Sequence, residues 1–296
     1  MKSGATAIPS SKSRAADFLA LTKPRLNTLV VVTAGVGYGL GFSGRFDVLT
    51  LLHTVLGSFL VAGGAATLNQ VAERDIDSAM QRTRHRPMPS GRVQPWEARV
   101  FAALITGLGL TELAVGTNVL AAGVALATLV SYVAVYTPLK RRSPLSTLVG
   151  AVPGALPPVI GWAAARGTLG VEAWVLFGIV FLWQLPHFHA LSWMHRDDFR
   201  RADLPIMAVI DESGQRNAKQ ALAFTVALLP VSLAPSIVGL TGRFYAGAAF
   251  GFGSAFVILA WRFAEQPSTV RARSLFIGSL VYLPLLLGLL VIDSVF

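Results

Sequence analysis

The stretch "LLHTVLGSFLVAGGAATLNQVAERDIDSAMQRTRHRP", Leu51 to Pro87, decides what kind of chain this is. As far as Ala72 it holds no Asp, Glu, Lys or Arg, and that is about the 20 apolar residues a bilayer-spanning helix needs. Then Glu73, Asp75 and Asp77 stand beside Arg74, Arg82, Arg84 and Arg86. A block of mixed charge at the end of an apolar span belongs where lipid gives way to water.

The rest of the chain repeats the apolar part of that pattern. Of 296 residues, 53% are hydrophobic and only 14% charged, with a mean hydropathy of +0.60; soluble domains carry about 25% charged residues. Nine apolar runs are long enough to span: 26–44, 51–72, 98–115, 118–138, 147–165, 173–193, 219–240, 244–263 and 275–293. The expected architecture is therefore an all-α polytopic membrane bundle of about nine helices, in one membrane-embedded domain over 1–296 with residues 1–22 as a cytoplasmic N-terminal segment. "GTN" at 116–118 predicts a tight hairpin. Pro153, Pro157 and Pro158 predict a kinked fifth span, and Pro186 a local break in the sixth.

Nine spans divide the loops between two sides. Of the 25 Lys and Arg residues, only Arg45, Arg166 and Arg243 fall on the side opposite the N-terminus. That asymmetry places the N-terminus and the charged loops in the cytoplasm and accounts for the net charge of +10 without nucleic acid. No apolar core precedes a cleavage site near the start, so no secretory signal is expected, and a bacterial plasma (inner) membrane is the expected location. With no cysteine, disulfides, thiolate metal sites and cysteine nucleophiles are excluded.

Asn69, Glu73 and Asp77 are spaced i, i+4, i+8 and share one helix face. One reading makes them a membrane-edge cap paired with Arg82, Arg84 or Arg86. The other makes them ligands of Mg2+, which binds through one or two carboxylates together with substrate phosphates. Eight residues of helix rise about 12 Å, so one octahedral ion cannot reach all three unless the helix unwinds after Glu73; otherwise two ions lie in series along a diphosphate. The arginines then have forked donors for the same phosphate oxygens. Lys140, Arg141 and Arg142, just beyond a span, read first as topology-setting charges; beside a metal–diphosphate site they gain a second use as phosphate ligands. The sixth span ends "FLWQLPHFHALSWMHRDDF", placing Trp183, Gln184, His187 and His189 at its inner end, with His195, Asp197 and Asp198 following. His187 and His189, two residues apart, face different ways. The acidic clusters around Asp77 and Asp198 lie four helices apart, a hint of repeated units converging on one site.

The chain resembles the UbiA superfamily of intramembrane prenyltransferases, and within it the heme-farnesylating branch. "LTKPR" (21–25), "NQVAERDID…RTRHRPMPSGRV", "YTPLKRRSPLSTLVGAVPGALPPVIGW", "WQLPHFHALSW" and "SLFIGSLVYLPLLL" carry the resemblance, which runs from there almost to the C-terminus. It implies a Mg2+-dependent transfer of farnesyl from farnesyl diphosphate to a vinyl group of heme b, with water adding across the alkylated vinyl and pyrophosphate leaving. Asn69, Glu73 and Asp77 match the first metal–diphosphate motif and Asp198 an acidic position of the second; these four are the expected metal-binding and catalytic residues. Arg82, Arg86, Lys140 and Arg141 match basic positions near the diphosphate. His187, Gln184 and Trp183 are the expected heme-binding residues. Tyr132, Tyr136, Trp162, Phe181 and Trp183 are candidates for walls that shield an allylic cation. Departures from the family pattern are Ala202 four residues past Asp198, Asp203 where Gly is common, Ser146 where Asn is usual, and Glu73 where this branch often has Asp. The resemblance also implies a heme A synthase or terminal oxidase as receiver of the product. Competing readings are prenylation of an aromatic or quinone precursor, a secondary transporter (Glu112 being an acid deep inside a span), and a non-catalytic heme carrier.

Overall fold

The computed structural model describes residues 13–42, 44 and 46–295; Arg45 and the first twelve residues of the expected cytoplasmic segment lie outside them. All nine apolar runs are helical, and no strand occurs among the described residues. After a short α1 (Arg14–Leu21), the long helices are α2 (Pro24–Gly41), α3 (Val48–Ala72), α5 (Pro95–Gly116), α6 (Val119–Leu139), the pair α7 (Ser146–Ala155) and α8 (Pro157–Arg166), α9 (Val171–Met194), α12 (Gln215–Ile237), α13 (Arg243–Glu265) and α14 (Thr269–Val295). Three short helices lie between them: α4 (Arg74–Ala79), α10 (Arg196–Arg201) and α11 (Met207–Ile210). Among the described residues, eight helical spans are long and apolar enough to cross a membrane. The run outside that set is α2, which has 18 residues and spends its first turn on Pro24, Arg25 and Asn27. The protein is a multi-pass membrane protein.

Local chemistry explains the joints. Gly116 and Thr117 close the hairpin, and the Asn118 side chain caps α6 by accepting from Ala121 N–H while its amide donates to the Ala163 carbonyl. The kinked fifth span is α7 and α8, meeting at Leu156 with prolines at the start of α8. The expected break at Pro186 does not form: α9 runs unbroken through it. Proline removes a single N–H donor, and a membrane helix packed on its neighbours tolerates that loss. α6 is π-helical over Ser131–Tyr136, an extra residue in one turn of the kind that often re-aims side chains at functional sites.

Between membrane helices there is no water to expel, so close backbone approach drives association. α2 and α8 show this most sharply. A Cβ at Gly161 would sit 1.8 Å from the Ala34 carbonyl oxygen, and one at Gly37 would sit 2.0 Å from that of Pro158. These glycines seat α2 on α8 and fix where the start of α2 falls.

Gly161→Val therefore forces the α2 and α8 backbones apart, an overpacking cost of about 1–3 kcal/mol or more. The thermal midpoint of the purified protein in detergent should fall by several degrees, whereas Gly123→Val, which meets nothing within 4 Å, should leave it unchanged.

Candidate active site

The charged end of the bundle is organised around a one-residue break. α3 ends at Ala72, Glu73 takes φ −99° and ψ 14°, and α4 begins at Arg74. Helical hydrogen bonds continue on either side, Glu73 N–H to the Asn69 carbonyl at 2.9 Å and Asp77 N–H to the Glu73 carbonyl at 2.8 Å. The unwinding that a shared ion demanded is thus confined to Glu73, and Asn69, Glu73 and Asp77 are all buried.

Each of the three meets a cation. The Asn69 side-chain oxygen accepts from Lys23 Nζ at 3.2 Å, and its amide donates to Thr137 Oγ1. Lys140 Nζ donates to Glu73 Oε2 at 2.8 Å, leaving Oε1 buried without a partner among the described residues. Arg86 Nη1 reaches both oxygens of Asp77, at 3.1 and 3.0 Å. Arg141 donates to the Ala72 carbonyl at the end of α3, where a cation complements the helix dipole. Burial raises the Glu73 pKa, but Lys140 and then Lys23 outweigh it and hold the carboxyl below its ordinary value.

Lys23 was not among the residues that the motifs singled out. It sits just before Pro24 with φ 48°, a left-handed conformation that costs a non-glycine residue about 1–2 kcal/mol. The turn is held by Asn27, whose side chain donates to the Thr22 carbonyl at 2.6 Å, and by Gln70, which donates to that of Leu21 at 2.6 Å. Burial, then the charge of Arg86, push its ammonium down to about 8, against the pull of Glu73 and Asp77. The available signal was a lysine beside a helix-starting proline at a membrane edge.

The second unit repeats the first in form. α9 ends at Met194, His195 takes φ −114° and ψ 21°, and six-residue α10 follows with Asp197 and Asp198 in its first turn. Asp198 accepts from Gln81 N–H at 3.0 Å, which ties the two units together, and pairs with Arg201. Burial raises its pKa, but Arg201, the Gln81 N–H and Arg82 hold it below the usual value. Arg82 lies 5.0 Å over the Phe199 ring, between the units. Asp203 has φ 50°, which is why glycine suits that position and why Asp, tolerant of this region, can replace it.

Below these charges lies a cavity of about 400 Å³. Lys23, Lys140, Tyr132 and Tyr136 line it with Gln184, Phe188 and small residues of α3, including Ala62, Ala65 and Ala66. Leu26 and Leu29 of α2 line it too and are 67% and 39% exposed, so it reaches the bundle's lateral surface. Of the other expected wall residues, Trp162, Phe181 and Trp183 are outside its lining. Trp183 donates to the Ser279 carbonyl at 2.8 Å, and His187 Nδ1 lies 2.7 Å from Ser279 Oγ, both turned toward α14. His189 is buried against Asn217 at 2.9 Å. Glu112 pairs with His53 at 2.8 Å, away from the site.

No group of three His, Asp or Glu side chains converges on one point among the described residues. The donor set nonetheless fits a hard cation shared with a phosphorylated ligand: oxygen donors only, with the buried, unpartnered Glu73 Oε1 among them.

The model of the UbiA prenyltransferase family matches residues 30–285. Proteins named protoheme IX farnesyltransferase from Solibacter usitatus and Opitutus terrae are 44% and 46% identical to this chain, over 94% and 97% of it and 98% of each relative; one from Myxococcus xanthus is 40% identical, with 95% of both chains covered. In fold the chain is similar to a solved digeranylgeranylglyceryl phosphate synthase (TM-score 0.80, 16% identity, 95% of this chain and 98% of that one). It is also similar to a UbiA homolog from Archaeoglobus fulgidus bound to GPP and Mg2+ (TM-score 0.68, 13% identity, 93% and 99%).

The depressed Lys23 has a signed consequence. The unfolded chain keeps that proton up to an ordinary value near 10.5, the folded one only to about 8, so ligand-free stability gains from this group as pH rises between the two. An anion at the cavity mouth favours the charged form, so its affinity should weaken as pH rises past about 8. Titrating inorganic pyrophosphate calorimetrically should show that fall in the wild type and a flatter one in Lys23→Arg. Lys23→Met should bind about 10- to 100-fold more weakly at pH 7, the worth of one charge-assisted hydrogen bond.

Proposed function

Because the chain belongs to the UbiA prenyltransferase family, we propose that it transfers farnesyl from farnesyl diphosphate to a vinyl group of protoheme IX. Its relatives carry the name of that reaction across nearly their whole length. The observation that carries the reading at the level of residues is the buried acid–base cluster at the mouth of an apolar cavity. The cluster suits a diphosphate and the cavity a prenyl chain.

In this reading Lys23, Lys140, Arg82 and Arg86 donate to diphosphate oxygens, Arg141 holds the end of α3 in place, and Asn69, Glu73, Asp77 and Asp198 hold Mg2+. When bound, Mg2+ neutralises charge on the diphosphate and makes it a better leaving group. The ammonium and guanidinium groups take the charge that develops as the allylic C–O bond breaks. Tyr132, Tyr136 and the small α3 residues keep water from the farnesyl carbon until the vinyl group reaches it. A C–C bond forms between that carbon and the terminal vinyl carbon. Water then adds to the adjacent position with loss of a proton, giving a hydroxyethylfarnesyl heme and pyrophosphate. Gln184 is one of the polar groups on the cavity wall available to the porphyrin edge. The site faces the cytoplasm from a bacterial inner membrane, in keeping with the placement of Lys and Arg, and the product passes to a heme A synthase or a terminal oxidase.

Purified protein in detergent, given heme b and farnesyl diphosphate, should yield a heme heavier by one hydroxyfarnesyl unit by mass spectrometry, and only with Mg2+ present. Asp77→Asn should lower kcat/KM by at least about 100-fold without changing elution on gel filtration. Prenylation of a quinone precursor with heme left unchanged would assign the site to a different acceptor. A second variant tests the pairing itself: Lys140→Met strands a buried carboxylate, which typically costs about 3–5 kcal/mol, and should lower the thermal midpoint as well as the rate.

A further inference from the structure

Another pocket, which the proposed reaction does not use, lies between the end of α13 and the start of α14. Its volume is about 350 Å³, and it shares no lining residue with the cavity below Glu73. α13 runs the same way as α3, α6 and α9, so this pocket sits at the charged end of the bundle. One face of each helix builds it. Leu259, Arg262 and Glu265 recur at every third position of α13, and Arg271 and Ser274 stand three apart on α14, spacings that keep side chains together on a helix surface. Leu259 packs onto Gly278 so closely that a Cβ there would lie 2.4 Å from Leu259 Cδ1, which closes the groove on the membrane side. Arg271 ties the two helices: its Nη1 donates to the Arg262 carbonyl at 2.6 Å and to Glu265 Oε2 at 3.2 Å. That contact also neutralises Glu265.

The charge that remains is positive. The Arg262 side chain is exposed, lines the pocket, and makes no hydrogen bond or ion pair among the described residues. Nε and Nη2 of Arg271 are likewise without an acceptor among them. Forked donors in excess of one carboxylate suit a phosphate. The surroundings say which kind. Trp261 stands 53% exposed in the pocket lining, and Trp is enriched at the level of lipid headgroups. Deeper along α14, Ile277, Val281 and Leu285 continue the Ser274 face and are all exposed, with exposed Ile258 one turn below Trp261 on α13. An apolar stripe directly beneath a basic pocket suits acyl chains joined to a phosphate; a soluble anion has no use for it.

We propose that this pocket binds the phosphate of an anionic phospholipid from the adjacent leaflet. Arg262 and Arg271 donate to its oxygens, and its acyl chains lie along Ile277 and Val281. In the proposed orientation that leaflet is the cytoplasmic one, whose surface is negative because it carries anionic lipid. The lipid bridges α13 and α14 and adds to the tie that Arg271 makes between them.

The test uses full-length protein in detergent, with phosphatidylglycerol and phosphatidylcholine titrated in separate arms and read by native mass spectrometry. Wild type should retain phosphatidylglycerol more tightly, and the bound lipid should raise the thermal midpoint. Arg262→Gln should bind it about fivefold more weakly, the worth of one basic side chain near an anionic lipid surface. Ser274→Trp, which fills the pocket without changing charge, should lose the tight lipid as well. Arg273→Gln removes an exposed arginine at the same end that does not line the pocket, and should bind as wild type does. Lipid-free thermal midpoints and pyrophosphate binding report that each variant is folded. Equal losses in Arg262→Gln and Arg273→Gln would mean diffuse attraction and overturn the site, as would equal retention of the two lipids by wild type. Inorganic phosphate that displaces phosphatidylglycerol at equal concentration would assign the pocket to a soluble anion and overturn the lipid. The experiment needs neither heme nor farnesyl diphosphate, so its outcome is independent of the proposed reaction.

Discussion

Glu73 and Asp77 are withdrawn from water to 4% and 1% exposure, and the effective penalty for burying an unpaired ion is several kcal/mol. Much of the construction at this end of the bundle meets that constraint. The left-handed turn at Lys23 puts an ammonium against Asn69, beside the carboxylates. The π-helical turn of α6 leads into Lys140, which meets Glu73. The loop after α4 folds back so that Arg86 meets Asp77 nine positions away. Three separate segments converge because two carboxylates would otherwise be stranded.

Those partners do more than neutralise. Lys23, Lys140 and Arg86 outnumber Glu73 and Asp77, and Arg82 is drawn in over Phe199 with its pKa pulled down by burial and by Arg86. A cluster with surplus positive charge, buried beside an apolar cavity, is unfinished without an anion. In the proposed reaction the diphosphate completes it. There Lys23, Lys140 and Arg86 would donate to phosphate oxygens, and Glu73 and Asp77 would hold Mg2+, which would neutralise charge on the diphosphate. The charges are in place before substrate arrives, so little reorganisation remains to be done as the C–O bond breaks.

What the sequence disclosed and what it hid divide along physical lines. Span positions were legible because an apolar run of fixed length has one use in a bilayer, and the α7–α8 joint because proline removes donors at defined places. The break at Glu73 was one of the two arrangements the spacing allowed, since Asn69 and Asp77 are too far apart on a straight helix to share an ion; the other was two ions in series on an unbroken helix. Pro186 misled because the same loss of one donor is absorbed when the helix is packed on both sides. Lys23 was missed because its role depends on a left-handed backbone turn, of which the sequence shows only the proline that follows it. The separation of His187 from His189 was foreseen from their spacing, but their distinct hydrogen bonds depend on Ser279 and Asn217, two side chains distant in sequence.

The two acidic clusters show how little sequence identity a repeated device requires. In each, a long helix ends at a residue with φ near −100° and ψ near +20°, and a six-residue helix then presents carboxylates in its first turn. What is repeated is the backbone gesture, a break at the end of a membrane helix after which one carboxylate of the short helix, Asp77 or Asp198, is buried while Asp75 and Asp197 stay exposed. Glu73 and His195 occupy the bend in the two copies and share no chemistry there, so comparing residues alone would miss the relation. The copies are also not equal. The first meets its cations from α2, α6 and its own loop, whereas Asp198 is satisfied by Arg201 on its own helix and the Gln81 N–H of the first unit. The second unit is therefore docked on the first, and Gln81 makes the position of Asp198 depend on where α4 ends. A metal ion held between the units would be set by that one backbone hydrogen bond, so the geometry of the second acidic site is inherited from the first.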